Sequence, residues 1–177
     1  MDKIFGGAIP RNFIPSAEKG VVQACAEGAV AGHQIVDVRV TLVDGSYHDV
    51  DSSDMAFQIA GAMALRKAVQ AAGPVLLEPI MDVEIVIPEE FLGAISGDVN
   101  SRRGRIMGME PGDTIQTIKA KVPLEEMYKY VNELKSLTGG RGTYTMNFSH
   151  YEMVPSNLAQ TIIDKAKQNK KEEVEES

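Results

Sequence analysis

A short polar loop of this chain places an aromatic ring next to an imidazole, at Tyr47 and His48. Both rings can stack on a nucleotide base, and the histidine can also form hydrogen bonds, as unpaired RNA bases require. Acidic residues surround the pair and disfavour contact with phosphate. We interpret the segment as a candidate binding site, with an ordinary capped turn as the alternative. This Tyr-His loop consists of Gly45, Ser46, Tyr47, His48 and Asp49.

A second candidate is a basic cluster in a chain whose net charge is −7. Its arginines follow a predicted helix and precede a predicted strand, where guanidinium groups suit phosphate contacts. The alternative is a solvated helix end whose cations offset the helix dipole. This arginine cluster consists of Asn100, Ser101, Arg102, Arg103 and Arg105.

Other chemistry is disfavoured by the residues present. The sequence has no G-x-x-x-x-G-K-[ST] run, so no phosphate-binding P-loop is predicted. Cys25 is the one cysteine and is interpreted as a small buried residue, which excludes a disulfide within the chain. His33 and His150 have no second ligand at metal-binding spacing and are interpreted as a loop residue and a strand-end residue. We therefore expect no catalytic residue, metal or cofactor in this chain.

Composition places the chain among globular proteins, since 44% of its residues are hydrophobic. It contains no run of 18 apolar residues and no leader-like start, so we expect a cytoplasmic protein without a membrane partner. Four glutamates near the end predict a disordered acidic tail over residues 169–177.

The Tyr-His loop lies between two predicted elements of a first domain, residues 1–76. Apolar and polar residues alternate over Val36–Leu42, which predicts a half-buried strand. A serine in the pair Ser52 and Ser53 can cap a helix running to about Ala72. An earlier helix is predicted between Pro15 and Gly28. A loop between a strand and a helix projects from a rigid base, where binding residues tend to lie.

The order of elements over residues 77–154 is βαββαβ, which predicts a ferredoxin-like domain. Its second helix is predicted from an apolar stripe of Leu124, Met127, Tyr128, Val131 and Leu134. A final helix over residues 155–168 is too short to be stable alone and is expected to dock its apolar stripe on another part of the chain. The fold class is therefore α+β.

Several segments resemble elongation factor G, in the order found in that family. Val36–Ser53 reads VDVRVTLVDGSYHDVDSS and is similar to its fourth domain. Leu76–Met81, LLEPIM, is similar to the join to its fifth domain. Gly97–Gly104, GDVNSRRG, and Phe148–Tyr151, FSHY, are similar to fifth-domain signatures.

This resemblance implies a truncated fourth domain with a ribosomal-protein-S5-like βαβ fold, followed by the fifth domain and by the final helix, which packs on the fourth domain. The residues themselves predict a strand end at Met1–Gly7 that lacks a partner. In the family, the tip of the fourth domain enters the small-subunit decoding centre, and His48 matches the histidine that meets the codon–anticodon region. The fifth domain lies near large-subunit rRNA at the factor-binding site, where the arginine cluster is a candidate contact. The family is a ribosome-dependent GTPase that moves tRNA and mRNA. GTP and Mg²⁺ bind in its G domain, which is expected to lie outside this chain and to be a partner of it.

The sequence leaves three alternatives to a translocase of the elongation factor G family. A paralogous translational GTPase, such as a ribosomal protection protein or a second elongation factor G, differs mainly in the tip loops. A standalone RNA-binding module would use the sheet or the arginine cluster. A small hydrolase of the acylphosphatase kind is disfavoured, because the acidic pair Glu89 and Glu90 lies where a phosphate-binding loop is needed.

Overall fold

The computed structural model of the chain describes residues 8–112 and 114–175, and describes side chains as far as residue 169. The strand end expected at Met1–Gly7 lies outside the described residues. Short 3₁₀ turns at Arg11–Phe13, Glu89–Phe91 and Leu124–Met127 precede three of the helices. The helices and strands are α1 (Ile14–Glu27), α2 (Asp54–Ala71), β1 (Leu77–Pro88), α3 (Leu92–Ser101), β2 (Arg105–Pro111), β3 (Ile115–Pro123), α4 (Tyr130–Leu137), β4 (Thr143–Met153) and α5 (Ser156–Glu175).

The chain divides into two compact units. Unit 1 contains residues 8–75 and 155–175, and unit 2 contains Leu76–Val154. No helix in the described ranges is long and apolar enough to cross a membrane.

Two helices, α1 and α2, pack closely in unit 1. A Cβ atom at Gly61 would lie 2.6 Å from the backbone oxygen of Ala17, so glycine allows the helices to approach. At the start of both helices, the Ser16 hydroxyl donates a hydrogen bond of 2.6 Å to Asp54. The buried apolar residues of the pair include Phe57 and Leu65 on α2.

Both predicted helices of this unit are confirmed, and the start of α2 shows why. The Ser53 hydroxyl accepts a hydrogen bond of 3.1 Å from the Ala56 amide, as an N-cap serine does. Its extended backbone, with φ −146°, is the conformation an N-cap requires. The helix ends before Gly73, whose φ of +69° cannot continue it.

The strand predicted over Val36–Leu42 is wrong, because no strand is formed within residues 8–75. Val36, Val38 and Val40 are 50%, 49% and 38% exposed, and Asp37 has a φ of +56° that interrupts an extended backbone. A strand is stabilised by the hydrogen bonds and side chains of a neighbour, and within the described residues this segment forms a single β-bridge, at Leu42. Within the described residues before Leu76, unit 1 therefore consists of two helices and a segment that connects them.

Unit 2 is an antiparallel sheet covered on one face by α3 and α4. Its strand order is β2-β3-β1-β4, with β1 paired to both β3 and β4, which confirms the ferredoxin-like prediction and the mixed α and β fold class. Alternation along β1 directs Val83, Ile85 and Ile87 into the core, where Ile95 and Val99 of α3 meet them.

The second helix of unit 2 differs from its prediction. Leu124–Met127 is a 3₁₀ turn, Lys129 takes a φ of +59°, and α4 begins at Tyr130. The chain therefore rotates, and Tyr130 is 1% exposed whereas the predicted core residue Tyr128 is 76% exposed. Met127 and Leu134 of the predicted stripe are buried, and Tyr130 takes the place of Tyr128 between them. Tyr128 has helical spacing to Val131, as Tyr130 has to Leu134, so periodicity alone could not choose between the two tyrosines.

The final helix is longer than predicted. α5 runs from Ser156 to Glu175, so most of the expected disordered tail, residues 169–177, continues a helix as far as the structure describes it. Lysine, glutamine and glutamate are good helix formers, which explains the extension. α5 belongs to unit 1, although Ile162 of its predicted packing stripe is 37% exposed.

Candidate functional site

The Tyr-His loop connects the irregular segment after α1 to the N-terminus of α2, and its backbone is fixed at His48. The His48 amide donates a hydrogen bond of 3.1 Å to the Ser52 hydroxyl. In return, the His48 carbonyl accepts hydrogen bonds from the amides of Asp51 and Ser52, at 3.3 and 3.1 Å. Because Ser53 caps α2, this backbone pairing joins the loop to the first turn of a helix.

The Tyr47 ring lies against Phe13 of the same unit, while the His48 side chain is exposed. Tyr47 is 38% exposed, and its ring centroid is 5.9 Å from that of Phe13. A hydrogen bond with the Asp49 carboxylate raises the pKa of Tyr47 above its ordinary value, with smaller effects of desolvation and of the Asp49 charge. The imidazole of His48 is therefore available to a ligand, whereas the Tyr47 ring contacts Phe13.

Gly45 lets the Tyr-His loop approach the chain before α1. A Cβ atom at Gly45 would overlap the side chain of Ile9, which is 4% exposed. The Gly45 amide donates a hydrogen bond of 2.8 Å to the Asp44 carboxylate, which stabilises the turn.

Within the arginine cluster, the side chain of Arg102 contacts its own unit. Its Nε donates a hydrogen bond of 3.0 Å to Asp98, and its Nη1 donates one of 2.8 Å to the Glu126 carbonyl. The guanidinium carbon lies 4.9 Å from the centroid of the Tyr130 ring, a cation–π distance. These contacts favour a structural role over a free phosphate-binding group.

Arg103 is held by two carboxylates. It forms two hydrogen bonds to Glu78, of 2.7 and 2.9 Å, and one of 2.8 Å to Glu126. The hydrogen bonds to Glu78 raise the pKa of Arg103 above its ordinary value, and burial opposes part of that rise. The charge of this arginine is therefore balanced inside unit 2.

The remaining members of the cluster are exposed. Arg105 pairs with Glu152 on β4, and its side chain is 60% exposed. The Ser101 hydroxyl donates a hydrogen bond of 2.7 Å to the Asp98 carbonyl, and Asn100 lies on the exposed side of α3. The structure therefore places each of the three arginines beside an acidic partner, and not on one free basic surface.

His33 follows its prediction as a loop residue, whereas His150 lies within β4, three residues before the strand ends at Met153. His33 is exposed in the loop after α1. His150 contacts Ser149 and Glu152 through its two ring nitrogens, at 3.0 and 2.9 Å. Within the described ranges, no group of three or more histidine, cysteine or acidic side chains is placed to hold a metal ion.

The chain matches two family models. The model for elongation factor G domain IV covers residues 1–73, and the model for the elongation factor G C-terminus covers residues 75–162. The chain belongs to the elongation factor G family.

Individual relatives agree with this assignment. Over 163 residues the chain is 58% identical to elongation factor G of Aquifex pyrophilus, and the match covers 92% of this chain and 23% of that protein. A crystal structure of a Thermus thermophilus protein superposes with a TM-score of 0.81 at 43% identity, covering 94% of this chain and 25% of that one. The chain thus spans about a quarter of the length of the relatives it matches.

The elongation factor G models separate the two candidate sites. The Tyr-His loop lies in the domain IV match, and the arginine cluster lies in the C-terminal match. The sequence did not reveal that Phe13 supports the loop, nor that Glu78 and Glu126 bind Arg103. These partners are distant in sequence from the residues that they contact, so no local pattern indicates them.

Proposed function

We propose that this chain forms the decoding-centre arm of a ribosomal translocation factor. The Tyr-His loop enters the small-subunit decoding centre, and His48 contacts the tRNA–mRNA backbone there as the two move together. GTP hydrolysis occurs in a G domain outside this chain, and the complete factor works on cytoplasmic ribosomes. Membership of the elongation factor G family and the exposed histidine in its domain IV region support this proposal.

The observation that carries the proposal is the contrast within one loop. The backbone of His48 is fixed to Ser52 at the start of α2, while its imidazole is exposed. A fixed backbone with a free polar side chain suits an arm that acts by binding and performs no chemistry of its own. Such an arm promotes movement if it binds better to the state in which tRNA has left the decoding site.

The test is His48→Ala in the full-length factor. We expect single-turnover translocation to slow by about tenfold, equivalent to about 1.4 kcal/mol, while ribosome-dependent GTP hydrolysis is retained. His33→Ala is the matched control, since it removes another exposed histidine of the same unit. Equal translocation rates for His48→Ala and wild type would refute the role of His48. A wild-type factor that does not translocate would instead indicate a specialised paralogue.

Residues 75–162 match the elongation factor G C-terminus. We propose that this segment contacts large-subunit rRNA through the exposed part of the arginine cluster, Asn100, Ser101 and Arg105. Arg102 and Arg103 are directed to acidic groups and the Tyr130 ring, so Arg105 is the cation best placed for phosphate. Arg105→Ala in the full-length factor is expected to weaken ribosome binding and to reduce its salt dependence by about one ion. Unchanged affinity over a range of salt concentrations would rule out this contact.

A further inference from the structure

Three aromatic rings connect the interior of unit 1 to the Tyr-His loop. Phe57 and Phe13 stack with centroids 4.7 Å apart and an interplanar angle of 11°. Phe13 in turn meets Tyr47 at 5.9 Å and 32°. Exposure increases along this ring stack, from 9% at Phe57, through half-buried Phe13, to 38% at Tyr47. Phe13 is thus the link between the core and the loop.

The inner end of the ring stack rests on a rigid base. Phe13 ends the 3₁₀ turn that leads into α1, and Phe57 lies in the first turn of α2. The hydrogen bond from Ser16 to Asp54 joins the same two helix starts. Stacked rings of this kind are held by their geometry as well as by the apolar area that they bury.

The outer end of the ring stack is coupled to His48 through the backbone. Tyr47 immediately precedes His48, whose amide and carbonyl are both hydrogen bonded to Ser52. The loop is therefore held from two sides, by a ring on one residue and by the backbone of the next. With both fixed, the direction of the Cα–Cβ bond of His48 is set, while its imidazole stays exposed.

We propose that Phe13 is a positioning residue, which holds the Tyr47 ring and thereby sets the direction of the His48 side chain. Tyr47 then serves as an anchor, since one side of its ring faces Phe13, and His48 is the residue of the loop that binds. The importance of this direction for translocation rests on the function proposed above. The positioning itself is a property of unit 1 and can be measured without the ribosome.

The experiment measures backbone and ring order in the 177-residue chain by NMR relaxation. In wild type, we expect backbone order parameters of about 0.85 for residues 46–49, the value of rigid backbone. In Phe13→Leu, we expect these order parameters to fall below about 0.6. Phe13→Tyr retains the ring and is expected to restore the wild-type values. The Tyr47 ring protons in Phe13→Leu should also lose the ring-current shift caused by Phe13.

Leu65→Ala is the control for a general loss of stability, because Leu65 is buried in α2 and is 6% exposed. It should destabilise unit 1 and leave the order of the loop unchanged. If Phe13→Leu leaves the loop ordered, or if Leu65→Ala loosens it equally, the positioning role is wrong. Should Phe13→Leu fail to fold, Tyr47→Leu breaks the same contact from the exposed side and is judged by the same criteria.

A second measurement separates this proposal from the function of the loop. In the full-length factor, Phe13→Leu should slow translocation about as much as His48→Ala, and Phe13→Tyr should restore the rate. If His48→Ala has no effect while the NMR result holds, positioning stands and the decoding role fails. If His48→Ala slows translocation but Phe13→Leu does not, Phe13 does not position the binding residue.

Discussion

Arg103 and Glu78 form a two-pronged ion pair, in which Nη1–Oε1 and Nη2–Oε2 are separated by 2.7 and 2.9 Å. The third side of the guanidinium binds Glu126 through Nε at 2.8 Å. Arg103 follows α3, Glu78 lies on β1, and Glu126 lies in the turn before α4. One side chain therefore joins three elements of unit 2. Its backbone has a φ of +58°, an uncommon conformation for arginine that this bonding stabilises.

Removal of this bridge should destabilise unit 2. Arg103→Ala leaves the carboxylate of Glu78, whose side chain is 12% exposed, without its partner, at a cost of about 2–4 kcal/mol in unfolding free energy. Arg103→Lys should recover only part of this loss, because an ammonium group cannot form the two parallel bonds. Hydrogen exchange of the slowest amides of β1 and β3 measures the change.

Arg141 provides the comparison for Arg103. It pairs with Glu90 at 2.7 Å, but the two side chains are 56% and 59% exposed. Since solvent screens such a pair, Arg141→Ala should cost less than about 1 kcal/mol. Equal losses at the two arginines would mean that the bridge contributes no more than a surface ion pair.

Two glycines of the chain should respond to alanine in opposite directions. A Cβ atom at Gly20 would overlap the backbone of Gln58, where α1 and α2 approach each other, whereas one at Gly97 in α3 meets no atom within 4 Å. We expect Gly20→Ala to destabilise unit 1 by about 1–3 kcal/mol through overpacking. Gly97→Ala should stabilise unit 2 by about 0.5–1 kcal/mol, because alanine favours a helix interior. Thermal unfolding of the two variants gives the signs, and a gain at Gly20 would contradict the close approach.

The sequence predicted unit 2 better than unit 1, and the reason is physical. The strands of unit 2 pair with one another, so the alternation along Val83, Ile85 and Ile87 reports a real core face. Val36, Val38 and Val40 alternate just as regularly, yet they are exposed. Alternation indicates which side a strand would bury. It does not indicate whether a neighbouring strand is present to pair with the segment.

The candidate sites show a similar division. The position and exposure of His48 followed from local signals, a turn before a capped helix. The bonding of Arg103 did not, because its partners Glu78 and Glu126 are brought close only by the folded sheet. The contact of Tyr47 with Phe13 did not follow from the sequence either. A sequence shows which residues carry a charge or an aromatic ring. Tertiary packing determines which groups those side chains contact.

The Tyr47 hydroxyl should report the state of the Tyr-His loop through its titration. The hydrogen bond with the Asp49 carboxylate raises the pKa of Tyr47 above its ordinary value of 10.0, since it favours the protonated phenol. A raised pKa in the folded state means that the stabilisation is complete below the ordinary value and is lost as pH rises through the raised one. The loop should therefore be ordered at neutral pH and loosen in strong alkali.

The pH dependence can be measured from the ¹³Cζ shift of labelled tyrosine, with Tyr47→Phe to assign the signal. Asp49→Ala is expected to move the pKa of Tyr47 back toward its ordinary value, because the acceptor and its charge are both removed. Asp44→Ala is the control, since the carboxylate of Asp44 instead accepts the hydrogen bond from the Gly45 amide. An unchanged Tyr47 pKa in Asp49→Ala would show that the phenol does not bond to Asp49. In that case, contact with Phe13 would be the remaining restraint on the ring.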